Sequence, residues 1–308
     1  ERTLRERTRD ALAGQGLVEL MTFPALRPGD LDALRLPADD RRRATVAIVN
    51  PLQADESALR PTLVAALLRA AQQNLARQAE GLRLFEIGRA FTARGPGELP
   101  NEAAQAVALW TQDAGASLWE RRDVPIFFRA KGAALRVLAE AGYEATFHPG
   151  TAEPYLHPGA SGELRVGERP VAALGELHPE TAAAFGLEAE TALFVLDLDA
   201  LLGAPESAGL HRELSLFPKV RRDLAVLLDR GVAAGDIVEW IRKTGGASLQ
   251  SVAIFDRYEG RGVPEGKVSV AFRLEFQRTD RTLTDAEVSR TVERIVKELS
   301  ERFGGELR

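Results

Sequence analysis

The sequence predicts an α+β protein of two domains, residues 1–205 and 212–308. Three observations lead there. A chain of 308 residues is long enough for about two domains. The stretch Gly203-Ala204-Pro205-Glu206-Ser207-Ala208-Gly209 is small, polar and turn-prone, and marks a boundary between Leu202 and His211. On both sides of it, strand-like alternation is interleaved with helical spacing, as antiparallel sheets with helices packed on them require.

In the first domain, residues 2–12 read as a helix and 17–23 as a strand. Leu63, Leu67, Ala70, Ala71 and Leu75 lie on one face of an amphipathic helix. Residues 82–91 and 104–110 are strand-like, and 128–141 helical. Short strands are expected near 163–166, 170–176 and 193–198.

The second domain has the clearer pattern. Leu224, Val226 and Leu228 alternate as in a half-buried strand. Residues 232–243 carry Ile237, Trp240 and Ile241 at helical spacing, and Gly245-Gly246 stops them. A strand at 249–258 leads through a Gly/Pro loop to a second strand. There Val268, Val270, Phe272, Leu274 and Phe276 alternate with Ser269, Ala271, Arg273 and Glu275. Thr284 and Glu287 form a capping box. The helix it opens carries Val288, Val292, Ile295, Val296, Leu299 and Phe303 on one face, and Gly304-Gly305 ends it. Residues 306–308 suffice only for the start of an edge strand. The order strand, helix, strand, strand, helix, strand is the ferredoxin-like βαββαβ arrangement, in which one face of the sheet stays open.

Composition narrows the function classes. The chain has no cysteine, which excludes disulfides, thiolate metal sites and cysteine nucleophiles. No run approaches the roughly 18 apolar residues of a membrane span, and no secretory signal opens the chain. A cytoplasmic protein without a membrane partner is expected. The sequence begins at Glu1 in mid-pattern, without Met, and reads as a piece of a longer chain. The net charge of −5 is unevenly spread: 212–308 has 18 Lys+Arg against 16 Asp+Glu, and 1–211 has 22 against 29. A mildly basic tail on an acidic body suits a module that faces nucleic acid.

Two stretches of the first domain resemble a known family: Asn50-Pro51-Leu52-Gln53-Ala54-Asp55-Glu56-Ser57-Ala58-Leu59-Arg60-Pro61-Thr62-Leu63 and Leu84-Phe85-Glu86-Ile87-Gly88-Arg89-Ala90-Phe91. Together with Leu156-His157-Pro158-Gly159 and Gly175-Glu176-Leu177-His178-Pro179, they are similar to the catalytic-like domain of the bacterial phenylalanyl-tRNA synthetase beta subunit. In the second domain, Phe217-Pro218-Lys219-Val220-Arg221-Arg222-Asp223-Leu224, Phe255-Asp256-Arg257-Tyr258-Glu259-Gly260 and Arg281-Thr282-Leu283-Thr284 resemble that subunit's ferredoxin-fold anticodon-binding domain.

The resemblance covers nearly the whole chain and implies a class II synthetase-like sheet domain followed by a tRNA-binding domain. The whole enzyme then joins phenylalanine to its tRNA with ATP and Mg²⁺. Two alpha and two beta subunits assemble, and the alpha subunit does the chemistry. The implied partners are the alpha subunit and tRNA(Phe). The alternative is a scaffold that stabilises the alpha subunit without touching RNA. By this likeness the helix at 62–75 offers Leu67 and Leu75 to the alpha subunit.

Adenylation needs positioned arginines and metal ions to hold a triphosphate. The family pattern places one Arg in an FRxE strand and a second in GxGxxR. Here Arg89 follows Ile87-Gly88, and no GxGxxR occurs. No catalytic residue and no resident cofactor are therefore expected in this chain. His148, His157 and His178 match no compact metal spacing, and His157 and His178 each precede Pro, as turn residues do. Glu86 is either a buried acid with a shifted pKa or a satisfied structural carboxylate.

RNA binding calls for cations on phosphates and flat side chains under unstacked bases. Lys219, Arg221 and Arg222 cluster before the first strand of the second domain, and Arg261 and Lys267 flank the Gly/Pro loop. Arg273 alternates outward. Strict alternation puts Phe255 and Arg257 on one face, where Phe255 is either a stacking platform or part of the core.

Overall fold

The computed structural model describes residues 2–27, 29–51, 53, 55–95, 97–112, 124–205 and 215–308. Leu52 and Ala54 of the quoted motif, and the boundary region from residue 206 to 211, lie outside the described residues. The chain divides into two compact units, Glu1–Gly209 and Leu210–Arg308.

The first unit begins with α1 (Arg2–Gly14), β1 (Val18–Glu19), β2 (Ala25–Leu26), α2 (Asp30–Ala33), β3 (Val46–Ala47) and β4 (Ala58–Leu59). It continues with α3 (Val64–Leu75), β5 (Arg83–Thr92), β6 (Asn101–Thr111), α4 (Ile126–Ala141) and β7 (Thr146–Pro149). It closes with β8 (Leu156–Val166), β9 (Arg169–Leu177), α5 (Pro179–Ala184), β10 (Thr191–Asp197) and α6 (Leu198–Leu202). Seven strands form one sheet in the order β1-β5-β6-β10-β9-β8-β7, and β2-β4-β3 form a small second one. The β1–β5 pair is parallel and the other neighbours in the large sheet are antiparallel.

Both faces of the large sheet are covered, which is why its central strands read as nearly unbroken apolar runs. On β6, Ala104, Ala106, Ala108 and Trp110 pack with α1 and α4, while Val107 and Leu109 meet Leu63 and, from α3, Leu67 and Leu68. Leu67 is thus fully buried in its own unit, and Leu75 is half-buried against the same cluster. The apolar stripe read as a subunit interface is the stripe this core consumes, so α3 does not present Leu67 to a partner.

The strand expected at 17–23 is cut to two residues. Beyond Leu20, Glu86 takes the place of the backbone ladder: its Oε2 accepts from Thr22 Oγ1 at 2.7 Å and its Oε1 from the Thr22 amide at 3.3 Å. Pro24 follows and has no N–H to donate. The strand expected to reach Leu198 ends at Asp197, whose carboxylate caps α6 by accepting from the Ala200 amide at 2.9 Å. His157 lies within β8 rather than in a turn, and His178 caps α5, with Nδ1 accepting from the Glu180 amide at 3.2 Å. Among the described residues no group of three or more His, Cys, Asp or Glu could hold a metal ion.

The second unit contains β11 (Val220–Asp229), α7 (Ala234–Gly245), β12 (Leu249–Tyr258), β13 (Lys267–Phe276), α8 (Asp285–Phe303) and β14 (Glu306–Leu307). The sheet order β12-β13-β11-β14, with every pair antiparallel, is the ferredoxin-like topology. Leu224, Val226 and Leu228 of β11, and Val268, Val270, Phe272, Leu274 and Phe276 of β13, pack under Ile237 and Ile241 of α7 and Val288, Ile295 and Leu299 of α8. The Thr284/Glu287 capping box starts α8, and Gly304, left-handed at φ 61°, ends it. No described helix is long and apolar enough to cross a membrane.

Candidate nucleic-acid interface

Because core residues alternate along β11 and β13, the side of the sheet away from the helices carries Arg221, Asp223, Ala225, Leu227 and Asp229 of β11. From β13 it carries Lys267, Ser269, Ala271, Arg273 and Glu275. Cross-strand partners share a side, so the register assigns the other strands. Glu306 lies opposite Leu227, and the Arg308 amide bonds to the Ala225 carbonyl at 3.0 Å.

On β12 a bulge intervenes between Ile254 and Asp256. It inserts Phe255 and reverses the alternation beyond it. Asp256 and Tyr258 then oppose Ala271 and Ser269 on the open side, whereas Arg257 opposes Val270 on the helix side. Phe255 and Arg257 therefore do not share a face. Phe255 is 48% exposed, so it is not core, and its ring lies 4.5 Å from the Arg273 guanidinium carbon. Arg257 instead pairs with Glu259, which also holds Arg230 at 2.6 Å. Arg222, opposite Leu274, belongs to the helix side and pairs with Asp285 of α8 at 2.6 Å. Arg261 stays in the loop between β12 and β13, its carbonyl accepting from Tyr258 Oη at 3.4 Å.

The open face is closer to neutral than the basic cluster suggested. Glu275 accepts from both Lys219 Nζ at 3.2 Å and Arg221 Nε at 2.8 Å. Arg273 forks onto Asp223 at 2.9 and 2.8 Å, and Lys267 donates to Glu306 at 2.5 Å. Two of these carboxyls are held below the usual range, Glu275 by Lys219 and then Arg221, and Asp223 by Arg273. Five cations (Lys219, Arg221, Lys267, Arg273, Arg308) face five carboxylates (Asp223, Asp229, Asp256, Glu275, Glu306). Glu275→Gln should release two cations at once. If the open face binds tRNA, affinity at low salt should rise and the salt slope steepen by about two. Unchanged binding at every salt concentration would put the phosphates elsewhere.

What the face does offer is flat surface. Arg308 reaches across the sheet to Tyr258, its guanidinium carbon 5.0 Å from the ring centroid. Tyr258 is 39% exposed, and the neighbouring Ser269 is 5% exposed although it lies on the open side. Unbroken alternation turns Asp256 and Tyr258 toward the core, whereas Ser269 alternates outward as it does here, and Arg308 falls in the three residues that read only as the start of an edge strand. The signal was indirect: 249–258 cannot place both Val252 and Tyr258 correctly without one inserted residue.

The first unit has its own cavity, about 570 Å³, beside the end of β5, the start of β6 and Asp197. Its lining includes Asp39, Asp40, Glu153 and Asp197 against Arg41 and Arg42. Arg42 is held between Asp40 at 2.8 Å and Glu153 at 2.9 Å. Its hydrogen bond pulls Asp40 down to about 2, while burial pushes Glu153 up. Arg89 pairs with Glu102 at 3.6 Å.

The fold is class II synthetase-like, with a ferredoxin-like unit after the large-sheet unit. The solved pyrrolysyl-tRNA synthetase of Desulfitobacterium hafniense shares the fold at 22% identity, with a TM-score of 0.50, over 69% of this chain and 73% of that one. The chain belongs to the phenylalanyl-tRNA synthetase beta chain family: the domain described as "Phenylalanyl tRNA synthetase beta chain CLM domain" matches residues 1–198, and "Ferredoxin-fold anticodon binding domain" matches 215–308. It is 38% identical over 307 residues to the phenylalanine–tRNA ligase beta subunit of Moorella thermoacetica, and 35% identical over 307 residues to that of Geobacter sulfurreducens. These matches cover 98% and 99% of this chain, which spans 38% of the length of each relative.

Proposed function

We propose that this chain is the part of a phenylalanine–tRNA ligase beta subunit that holds tRNA(Phe) near its anticodon and docks the alpha subunit, without performing adenylation itself. The observation that carries the RNA reading is the Tyr258–Arg308 stack on an otherwise charge-balanced open sheet. An aromatic ring beneath a guanidinium receives an unstacked base, and a neutral surround favours bases over bare phosphates.

The absence of adenylation is supported by the cavity beside β5 and β6. Four carboxylates outnumber two arginines there, and Arg42 is fully engaged, so a triphosphate meets repulsion. In the whole enzyme, ATP and Mg²⁺ belong to the alpha subunit, and the site of action is the cytoplasm.

Docking is best served by the edge at β1. Met21 is 97% and Phe23 70% exposed, and Val18 beside them is 61% exposed. Such an apolar cluster at a sheet edge fits an interface. The test has two arms. Phenylalanine tRNA, but not an unrelated tRNA, should be protected by the chain at its anticodon loop. A Met21→Glu, Phe23→Glu variant should keep its fold and lose co-purification with the alpha subunit. Protection of no anticodon nucleotide would overturn the RNA reading and leave the scaffold alternative. Retained co-purification would move the interface off this edge.

A further inference from the structure

The helix side of the second unit carries a feature that base recognition on the open face does not use. Between α8, the loop after β13 and the turn before β12 lies an open depression of about 300 Å³. Three guanidiniums line it, those of Arg278, Arg290 and Arg294, together with the hydroxyl-bearing Ser248 and Thr291 and one carboxylate, Glu287. A water molecule takes about 30 Å³, so the space admits a phosphate group with part of its hydration shell.

The charges do not cancel as they do on the open face. Glu287 is fully spent: Arg281 donates to both its oxygens, at 2.5 and 2.9 Å, and the Thr284 amide and hydroxyl donate to Oε2 at 3.0 and 2.8 Å. Arg278 forks onto Asp280 at 2.8 and 3.0 Å. Arg290 and Arg294 donate only to carbonyls, of Ala286 at 3.2 Å and Thr244 at 2.6 Å, and neither has a carboxylate partner among the described residues. A guanidinium has five N–H donors, so each of these arginines keeps most of its fork for a ligand. The one carboxylate of the lining, Glu287, is matched by Arg281, and Arg278 is matched by Asp280, so within the depression the charges of Arg290 and Arg294 remain for an anion. Paired forks and hydroxyls suit the several oxygens of a phosphate better than the two of a carboxylate.

We propose that the depression lined by Arg278, Arg290, Arg294, Ser248 and Thr291 is a phosphate-binding site, for an RNA backbone phosphate or a free polyphosphate. The RNA source rests on the proposed tRNA binding; the free-anion source does not. Calorimetric titration of the whole chain with pyrophosphate at low salt tests the site, and salt-dependent binding of phenylalanine tRNA identifies the source. In an Arg290→Gln, Arg294→Gln variant, pyrophosphate affinity should fall about tenfold or more. Arg242→Gln with Lys243→Gln, which also removes two charges but on α7 and outside the lining, should leave it as it was. If RNA is the source, the double variant also lowers the tRNA salt slope by about two. Pyrophosphate binding lost with an unchanged tRNA slope assigns the site to a free anion. If the chain binds no tRNA at all, the proposed function fails and the pyrophosphate titration still decides the site. A double variant that alters neither pyrophosphate binding nor the tRNA slope overturns the proposal.

Discussion

Arg60→Met should destabilise the first unit by about 3–5 kcal/mol, because it strands a buried carboxylate. Arg60 and Glu86 are 5% and 3% exposed, and they meet at 2.9 Å. Arg60 also donates to Thr22 Oγ1 at 2.7 Å and to the Arg89 carbonyl at 3.3 Å. Truncating the guanidinium leaves Glu86 with Thr22 as its remaining partner, in a setting where water cannot replace the lost donor. Adding Glu86→Leu to the same chain should recover much of the loss, since a matched apolar pair has no charge to desolvate. Chemical unfolding of both variants checks this. A parental midpoint for Arg60→Met would show that the pair contributes little. A double variant no better than the single one would assign the loss to packing instead. Gly88 belongs to the same arrangement: a Cβ there would stand 2.6 Å from Arg60 Nη2, so Gly88→Ala would push the guanidinium out of place.

Tyr258→Ala should weaken tRNA binding by about 1–3 kcal/mol, the range for loss of one stacked base, with no change in salt slope. Arg308→Gln should also weaken it, and should lower the slope by about one if the guanidinium reaches a phosphate. The two signatures separate a base platform from a phosphate contact. Tyr258 is part-exposed at the end of β12, so the melting temperature of Tyr258→Ala should stay close to the parent's. Parental affinity in both folded variants would take the RNA off the open face. Phe255→Ala is the companion measurement: its ring lies against the Arg273 guanidinium as that of Tyr258 lies against Arg308, and a comparable loss is expected if a base stacks there.

The sequence was legible where structure is decided locally. Thr284 and Glu287 are three residues apart and satisfy each other, so the start of α8 could be read from four letters. The alternation of β13 could be read because one face is buried and no bulge interrupts it on that strand. β12 defeated the same reasoning. Its inserted residue depends on pairing with β13, and one extra residue moves Arg257 and Tyr258 to opposite sides. Charge was misleading for a related reason. Lys219, Arg221 and Arg222 are adjacent in sequence, but their carboxylate partners Glu275 and Asp285 come from 275 onward. The small sheet of β2, β3 and β4 went unseen because two-residue strands leave no periodicity to detect. In α3, periodicity gave the helix and its apolar face, but not whether that face met its own core or another chain.

If this edge docks the alpha subunit as proposed, Thr22 bears on how fast that partner is captured. Its side chain is pinned inward by Glu86 and Arg60. Met21 and Phe23, one residue to either side, project outward. A displayed segment fixed from beneath loses little conformational freedom when it is covered, so less of the contact energy is spent on ordering it. Encounters then need only the correct orientation, not a prior folding step, and association runs nearer the rate set by collision.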